Sequence, residues 1–370
     1  MYVQFRDLDT GKRLTAVSSH ETSRGRAESW AIEQLRKGVV TSKANMSFSQ
    51  FAEDWWTWGQ SMYIEKKHAK GLRLSRGYAD NNKRILEKYI LPNFGATRLS
   101  KITPALLEDF QMSLTKSEPD QEALLPKTVN NIFTILRVML REAFRLGYIP
   151  TNPAFAISDL MDTSKQKGFL NQAEFKLIFD PSRIEEIWKD FRHYTLNQLA
   201  AMTGARMGEI QALQIKDVHE NYIDINKSWD RKYGPQDPKW GSFRKVRIPE
   251  MVHSNLAKII ANSPYPDPDD LVFWGKDGRK PIDHKTILTV LYAAFDKIGI
   301  PEEARNKSQR NITFHSWRYL LNSWCRGKLA DSKLRLITGH KTEAMTDHYT
   351  QFTVEDFDDF AKIQERLVAG

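Results

Sequence analysis

The segment FHSWRYLLNSWCRG, residues 314–327, places its large apolar side chains at helical rather than strand spacing. At about 100° per residue Trp317, Leu320, Leu321 and Trp324 fall on one face, which predicts a helix with that side committed to a core. His315 and Arg318, at i and i+3, lie together roughly 140° away, so an imidazole and a guanidinium are presented from the other side. A shared anion would remove the repulsion between them when the imidazole is charged. Downstream, ITGHKTEAMTDHYTQF (337–352) sets His340 on a Thr-Gly turn and Tyr349 nine residues beyond it. Upstream, MTGARMGEIQALQ (202–214) puts Arg206 just past a Gly204 break between two runs of helical periodicity, a junction from which a side chain can be aimed into a cleft. Between them, QDPKWGSFRKVRIP (236–249) carries Lys239 in a loop entering a strand. Singly these features have ordinary readings: a surface arginine, a chance His/Arg pair, a solvated loop lysine, a half-buried tyrosine.

Around these segments the chain reads as three domains, mainly α. Residues 1–43 form a small β-hairpin/helix unit: strands YVQFRD and RLTAVSS flank a turn at 9–12, and a helix follows with Ala27, Trp30, Ala31 and Leu35 on one stripe. VTSKAN (40–45) reads as a linker. Residues 46–157 are almost wholly helical and predict a compact bundle. One helix opens at a Ser cap over 47–64, a second runs from Ser75 and ends before Pro92, a third starts with Thr103 as N-cap and Pro104 in its first turn, and the longest begins at Pro126. Lys66, Lys67, Lys70, Arg73, Arg76, Lys83 and Arg84 gather where the first of these helices ends and the second begins, as a solvated face or as phosphate contacts. The polar SDLMDTSKQKG (158–168) reads as an interdomain linker. Residues 168–370 are mixed α+β, with helices over 171–179, 185–203, 251–262, 284–298, 315–327, 331–338 and 353–367. An antiparallel meander is predicted there, with strands near 221–229 and 243–250.

Composition narrows the function classes. The 370 residues, 41% apolar, suffice for real cores, and 55 Lys+Arg against 46 Asp+Glu, a net charge of +9, favour a polyanionic partner. The single cysteine, Cys325, excludes an intrachain disulfide and a Cys-based zinc site and points to a reducing interior. No apolar run is long enough to span a membrane or to read as a leader, so a soluble, cytoplasmic protein is expected.

The segments TGARMGEI, HSWRY, TGH and HYT, in that order between residues 203 and 350, resemble the motifs of the tyrosine recombinase (phage integrase) family, and the nine-residue interval from His340 to Tyr349 matches the family's spacing. The resemblance implies an arm-site-type DNA-binding domain at 1–43, a helical core-binding domain at 46–157 and a catalytic domain of tyrosine recombinase type at 168–370. It also implies a site-specific recombinase, the integrase of a phage or other mobile element in a prokaryotic or phage-infected cell, that cuts and rejoins DNA through a 3′-phosphotyrosyl intermediate. The partners implied are double-stranded attachment sites, further copies forming a homotetramer in the synaptic complex, and DNA-bending accessory proteins. No cofactor or metal is implied.

In that family frame Arg206 and Arg318 neutralise the pentacoordinate phosphorane, as flat guanidinium forks can. His315 and His340 add hydrogen bonds to the same oxygens, with His315 the expected base, Tyr349 the nucleophile and Lys239 the acid for the 5′-oxygen. Lys245 competes for that last role, since the loop length does not choose between them. Glu209 is expected to be structural. The tail, with Val354, Phe357, Phe360, Ala361 and Val368 near one stripe, docks on a neighbouring subunit or on its own domain. Two other readings compete: a sequence-specific DNA-binding protein without catalysis, and a metal-dependent nuclease using His315, Asp331, His340, Asp347 and His348.

Overall fold

The computed structural model describes residues 1–6, 13–36, 46–117, 122–162, 167–306 and 308–351. It divides into two units, Met1–Ser164 and Lys165–Gly370. In the first, Tyr2–Val3 (β1) pairs antiparallel with Val17–Ser18 (β2), and the helix Arg24–Arg36 (α1) follows, bringing Trp30 to 6.2 Å from Phe5 between ring centroids. The hairpin and helix expected there are present; the turn at 9–12 and the linker at 40–45 lie outside the described residues.

The bundle is present with two differences from its prediction. Instead of one helix over 47–64 there are two, Phe48–Ala52 (α2) and Met62–Ala69 (α3). Asp54 and Gly59 take left-handed φ of 53° and 79°, and the turns between them bury both Trp55 and Trp56, which neighbouring positions 100° apart on one helix do less readily. Ser61 then caps the new helix, accepting from the Ile64 amide at 3.2 Å. The next helix, Arg76–Ile85 (α4), does not stop before Pro92. It passes through a π-helical turn at Leu86–Ile90 into Leu91–Phe94 (α5). The wide turn sets Pro92 at the head of a fresh helical turn, where its missing N–H is not needed. Pro104–Leu114 (α6) starts as predicted, with the Thr103 hydroxyl accepting from the Leu106 amide. Pro126–Arg145 (α7) is the bundle's central helix, and Val129, Ile132, Phe133, Leu136, Met139, Leu140 and Ala143 form its buried stripe.

The second unit opens with Gln172–Ile178 (α8), capped by an Asn171/Glu174 box. The predicted helix over 185–203 is broken at Lys189, whose left-handed φ of 60° separates Ile184–Trp188 (α9) from Phe191–Thr203 (α10). Met207–Gln211 (α11) follows the left-handed Gly204. The meander is two nested antiparallel pairs. Tyr222–Ile225 (β3) pairs with Arg244–Arg247 (β6), Ile225 opposite Arg244; between them Ser228–Asp230 (β4) and Gly234–Gln236 (β5) make a smaller hairpin. Glu250–Ala261 (α12), His284–Lys297 (α13), Glu302–Arg305 (α14), Ser316–Cys325 (α15), Asp331–Thr338 (α16) and Glu343–His348 (α17) complete it. The central α10, buried almost along its length, packs on α9, α12, α13 and α15. The helix predicted at 353–367, and with it the apolar stripe of the tail, lies outside the described residues.

Candidate active site

Five of the six residues singled out in the second unit converge. Arg206 occupies the junction between α10 and α11, where the Gly204 αL turn reverses the chain, and it is held by Glu209: its Nη1 donates to Oε1 at 2.8 Å and its backbone N–H to Oε2 at 2.9 Å. Arg318 lies on α15 as predicted, but it is not presented at the surface. Its side chain is 1% exposed, because Nη1 donates to the Gly204 carbonyl at 2.8 Å, Nη2 to the Thr338 carbonyl and Nε to His340 Nε2 at 3.2 Å. Three acceptors from two other segments replace the water that a guanidinium would otherwise keep.

The turn after α16 supplies His340. Gly339 adopts φ 70°, a conformation costly for a residue with a Cβ, and a Cβ there would also approach Ser242 at 3.1 Å. Because His340 Nε2 accepts from Arg318, its proton sits on Nδ1, from which it donates to Thr346 Oγ1 at 3.2 Å. His340 therefore orients Arg318 rather than presenting a donor of its own, a difference from the expectation that both imidazoles bind the same phosphate oxygens. Tyr349 closes the cluster. Its hydroxyl is 3.0 Å from His315 Nε2, its ring stacks on His340 (4.7 Å between centroids, 12° between planes), and the Arg318 guanidinium lies 5.3 Å from the ring centre.

α15 also seats the helix that carries the tyrosine. Asn322 Nδ2 donates to the Thr346 carbonyl at 3.0 Å and to Thr350 Oγ1 at 2.9 Å, Tyr319 OH meets His348 Nε2 at 3.1 Å, and Arg326 pairs with both Asp331 and Asp347. These contacts also disperse the nuclease set: His348 turns to Tyr319, Asp331 and Asp347 share a cation, and among the described residues no three His, Cys, Asp or Glu gather as metal ligands.

Lys239 is the predicted site residue that the structure does not bring to the cluster. It is exposed on the turn Lys239–Gly241, with Nζ 5.8 Å from the Trp240 ring centre. The same loop nevertheless runs past the site, since Ser242 lies against Gly339. Lys245 points elsewhere: successive strand residues face opposite sides, and its neighbour Arg244 is the one that turns inward.

Arg244 was missed by the sequence reading. Its Nη2 donates to Glu209 Oε2 at 2.7 Å and its Nε to the Ile337 carbonyl at 2.8 Å, so it ties β6 and α16 to the carboxylate that holds Arg206. Alternation along FRKVRIP does carry the signal, because Arg244 shares its face with the buried Val246 and Ile248. Three guanidinium groups, of Arg206, Arg244 and Arg318, thus surround one carboxylate, an excess of two positive charges.

The electrostatics follow. Burial alone would raise the Glu209 carboxyl, but the charges of Arg244 and Arg206 and their hydrogen bonds hold it down at about 2. Burial, reinforced by Arg318 and Arg206, pushes both His315 and His340 down to about 3. Burial and Arg206 also lower Arg318, to about 9, which leaves it charged at neutral pH. Both imidazoles are therefore neutral in the folded chain, and the 3.0 Å contact of His315 Nε2 with the Tyr349 hydroxyl joins two uncharged groups. A pH prediction follows: between about 6.5 and 3 the unfolded chain binds protons on these histidines that the folded chain does not, so stability falls as pH falls through that window. Thermal melting from pH 7 to pH 4 should show the decline, with a shallower slope in a His315→Gln, His340→Gln double variant.

In the first unit Lys66 and Lys67 lie in the last turn of α3, Lys70 at its C-cap, Arg73 in the loop and Arg76 at the start of α4, whereas Lys83 and Arg84 fall in the last turn of α4 rather than near its start. Lys66, Lys70, Arg73, Arg76 and Arg84 are exposed. Lys67 lies over the Tyr63 ring, and Lys83 is half-buried, donating to Thr57 Oγ1 at 3.1 Å and approaching Glu87 at 4.0 Å.

The family comparisons agree with this geometry. Residues 47–115 match the phage integrase N-terminal SAM-like domain, and residues 169–355 match the phage integrase family model. The ICEBs1 integrase of Bacillus subtilis is 33% identical over 190 residues, covering 50% of this chain and 48% of that one; the tyrosine recombinase XerC of Oceanobacillus iheyensis is 26% identical over 260 residues, covering 69% and 79%. This chain thus spans about half the length of the first of these relatives. Among solved structures, the Tn1549 transposon integrase in complex with transposon right-end DNA has the same fold, with a TM-score of 0.66 at 18% identity over 87% of this chain and all of that one. A lambda integrase dimer bound to a core site aligns with a TM-score of 0.58 at 17% identity over 83% and 96%. With the catalytic-domain model alone covering half of its residues, and the described members of the motif set other than Lys239 meeting in one cluster, the chain belongs to the phage integrase family.

Proposed function

We propose that this chain is a site-specific DNA recombinase, the integrase of a phage or other mobile element, acting through a 3′-phosphotyrosyl intermediate at Tyr349. The observation that carries the reading is the 3.0 Å contact between the Tyr349 hydroxyl and a neutral His315, beside a buried cluster with two excess positive charges. In the proposed step the phenol oxygen attacks phosphorus, its proton passes to His315 Nε2, and the bond from phosphorus to the 5′-oxygen breaks. The leaving 5′-oxygen takes a proton from Lys239 as its loop closes on the DNA. Arg206 and Arg318 neutralise the non-bridging oxygens, Glu209 and Arg244 position Arg206, and His340 positions Arg318. The phosphotyrosyl ester conserves the energy of the broken bond, so attack by another strand's 5′-hydroxyl reverses the step without ATP.

In this reading the SAM-like domain clasps DNA with Lys66, Lys67, Lys70, Arg73, Arg76, Lys83 and Arg84 on phosphates, and residues 1–43 contact a separate arm site. Two duplexes are brought together by four copies of the chain, with DNA-bending proteins as possible further partners, in the cytoplasm of a bacterial cell. The test is strand exchange between two attachment-site duplexes in chelator and without nucleotide. Recombinant products support the proposal, whereas salt-sensitive binding with no strand exchange favours the non-catalytic reading.

The choice between the two lysines has its own test. Lys239→Ala should slow cleavage on the order of a hundredfold, the worth of a general acid, while Lys245→Ala remains near the parent rate. A substrate whose 5′-bridging oxygen is replaced by sulfur leaves as a thiolate and needs no acid, so it should restore Lys239→Ala. Equal loss in both variants, or no restoration by sulfur, would remove Lys239 from that role.

A further inference from the structure

The loop that carries Lys239 holds a feature that proton transfer does not use. Trp240 is 66% exposed, although tryptophan is among the residues with most to gain from burial. It also adopts φ 64°, ψ 19°, the left-handed region that a bulky side chain enters at a cost of about 1–2 kcal/mol. Gly241 beside it is left-handed as well, at φ 59°, and Phe243 is 52% exposed. A glycine or asparagine at 240 would take this conformation more cheaply, so what the position keeps is the indole itself.

The turn is firmly anchored at its other end. Ser242 is 4% exposed and lies against Gly339, the neighbour of His340, while its carbonyl accepts from Arg244 Nη1 at 3.1 Å. Two peptide units separate Trp240 from Ser242, so its backbone lies within about 7 Å of a residue packed on the catalytic turn. DNA held with a phosphate in the cationic cluster would carry its base pairs, stacked about 3.4 Å apart, past the turn that bears the indole. The Lys239 ammonium at 5.8 Å from the ring adds a cation next to the aromatic face. An aromatic tip edged by a cation and fixed beside a phosphate site matches the chemistry of a nucleic acid base next to its backbone.

We propose that Trp240 is a DNA-contacting residue that stacks on, or wedges beside, a base adjoining the scissile phosphate, and so positions the strand for attack. The proposal rests on the recombinase reading above. Its occupant is a base of the bound duplex; a second protein copy on the same tip is the outcome against it.

The experiment uses the full chain and an attachment-site duplex carrying 2-aminopurine at successive positions flanking the cleavage point, with wild type, Trp240→Phe and Trp240→Gly compared. Wild type and Trp240→Phe should change the fluorescence of one flanking position, and Trp240→Gly should not. Cleavage by Trp240→Gly should fall on the order of tenfold to a hundredfold, the worth of one base–aromatic stack, mainly in the single-turnover rate at saturating protein. Its melting temperature should stay level or rise, because the left-handed strain is relieved, and an abasic position opposite the stacked base should restore part of the rate. Fluorescence and cleavage unchanged in Trp240→Gly would overturn the proposal, as would a loss confined to pairing of protein copies. If wild type itself forms no covalent adduct on this duplex, the recombinase reading fails first and takes this inference with it.

Discussion

Tyr349→Phe binds attachment-site DNA as tightly as the parent chain and forms no covalent adduct with it. The substitution removes one oxygen and keeps the ring, so the stack on His340 at 4.7 Å and the approach of Arg318 at 5.3 Å remain. The seat of α17 also remains, since Asn322, Tyr319 and Arg326 grip Thr346, His348, Asp347 and Thr350 rather than the phenol. Only the 3.0 Å hydrogen bond to His315 is lost, a net stability change of about 1 kcal/mol or less. The chemical effect is categorical, because the missing atom is the proposed nucleophile. A denaturing gel of protein mixed with a nicked site separates the two cases, and an adduct persisting in the Phe variant would move the nucleophile to another residue.

Glu209→Gln unfolds at a markedly lower temperature and loses strand cleavage with it. The carboxylate is fully buried and shared by Arg206 and Arg244 through four hydrogen bonds. Removing its charge leaves two guanidinium groups beside a third, Arg318, with no counter-ion. Breaking a buried pair from one side costs about 3–5 kcal/mol, which for a unit of this size corresponds to a fall of roughly 10 °C in melting temperature. The acid limb distinguishes this from simple misfolding. The folded Glu209 titrates at about 2, below its unfolded value, so its contribution is complete above about 4.5 and drains away as pH falls toward 2. The Gln variant has no such group, and its melting temperature should lose that part of the pH response. Melting curves across pH 5 to 2.5 decide the matter; parallel curves for the two proteins would show that Glu209 is not the buried anion described.

Much of this site is legible in the sequence because its parts are local. The His315/Arg318 pair follows from helical spacing and the placing of Arg206 at a junction from a glycine break, each within a dozen residues, while Tyr349 stands out through the resemblance of its nine-residue interval from His340 to the family's spacing. The caps are local too, and Thr103-Pro104 opens its helix where predicted. What was not legible depends on distant partners. The burial of Arg318 is set by the Gly204 and Thr338 carbonyls, 114 and 20 residues away in sequence, so an exposed face was the natural expectation for it. Arg244 becomes meaningful only once β6 brings it to Glu209, 35 residues earlier. The breaks at Lys189 and after α2 likewise replace propensity with tertiary packing: Trp188 is 1% exposed, and Trp55 and Trp56 are buried. Pro92 misled because a π turn, which has no reliable local signature, had already reset the helix before it.

On the proposed mechanism one phenol oxygen becomes joined to the 3′-phosphate of the cut strand. The direct measurement is to trap the adduct on a nicked attachment-site duplex, digest it with protease and nuclease, and identify by mass spectrometry the peptide that carries the nucleotide. The nucleotide is predicted on Tyr349, linked through its 3′-phosphate, with a free 5′-hydroxyl on the released strand. A nucleotide on any other residue, or a 5′-linkage to Tyr349, would contradict the account.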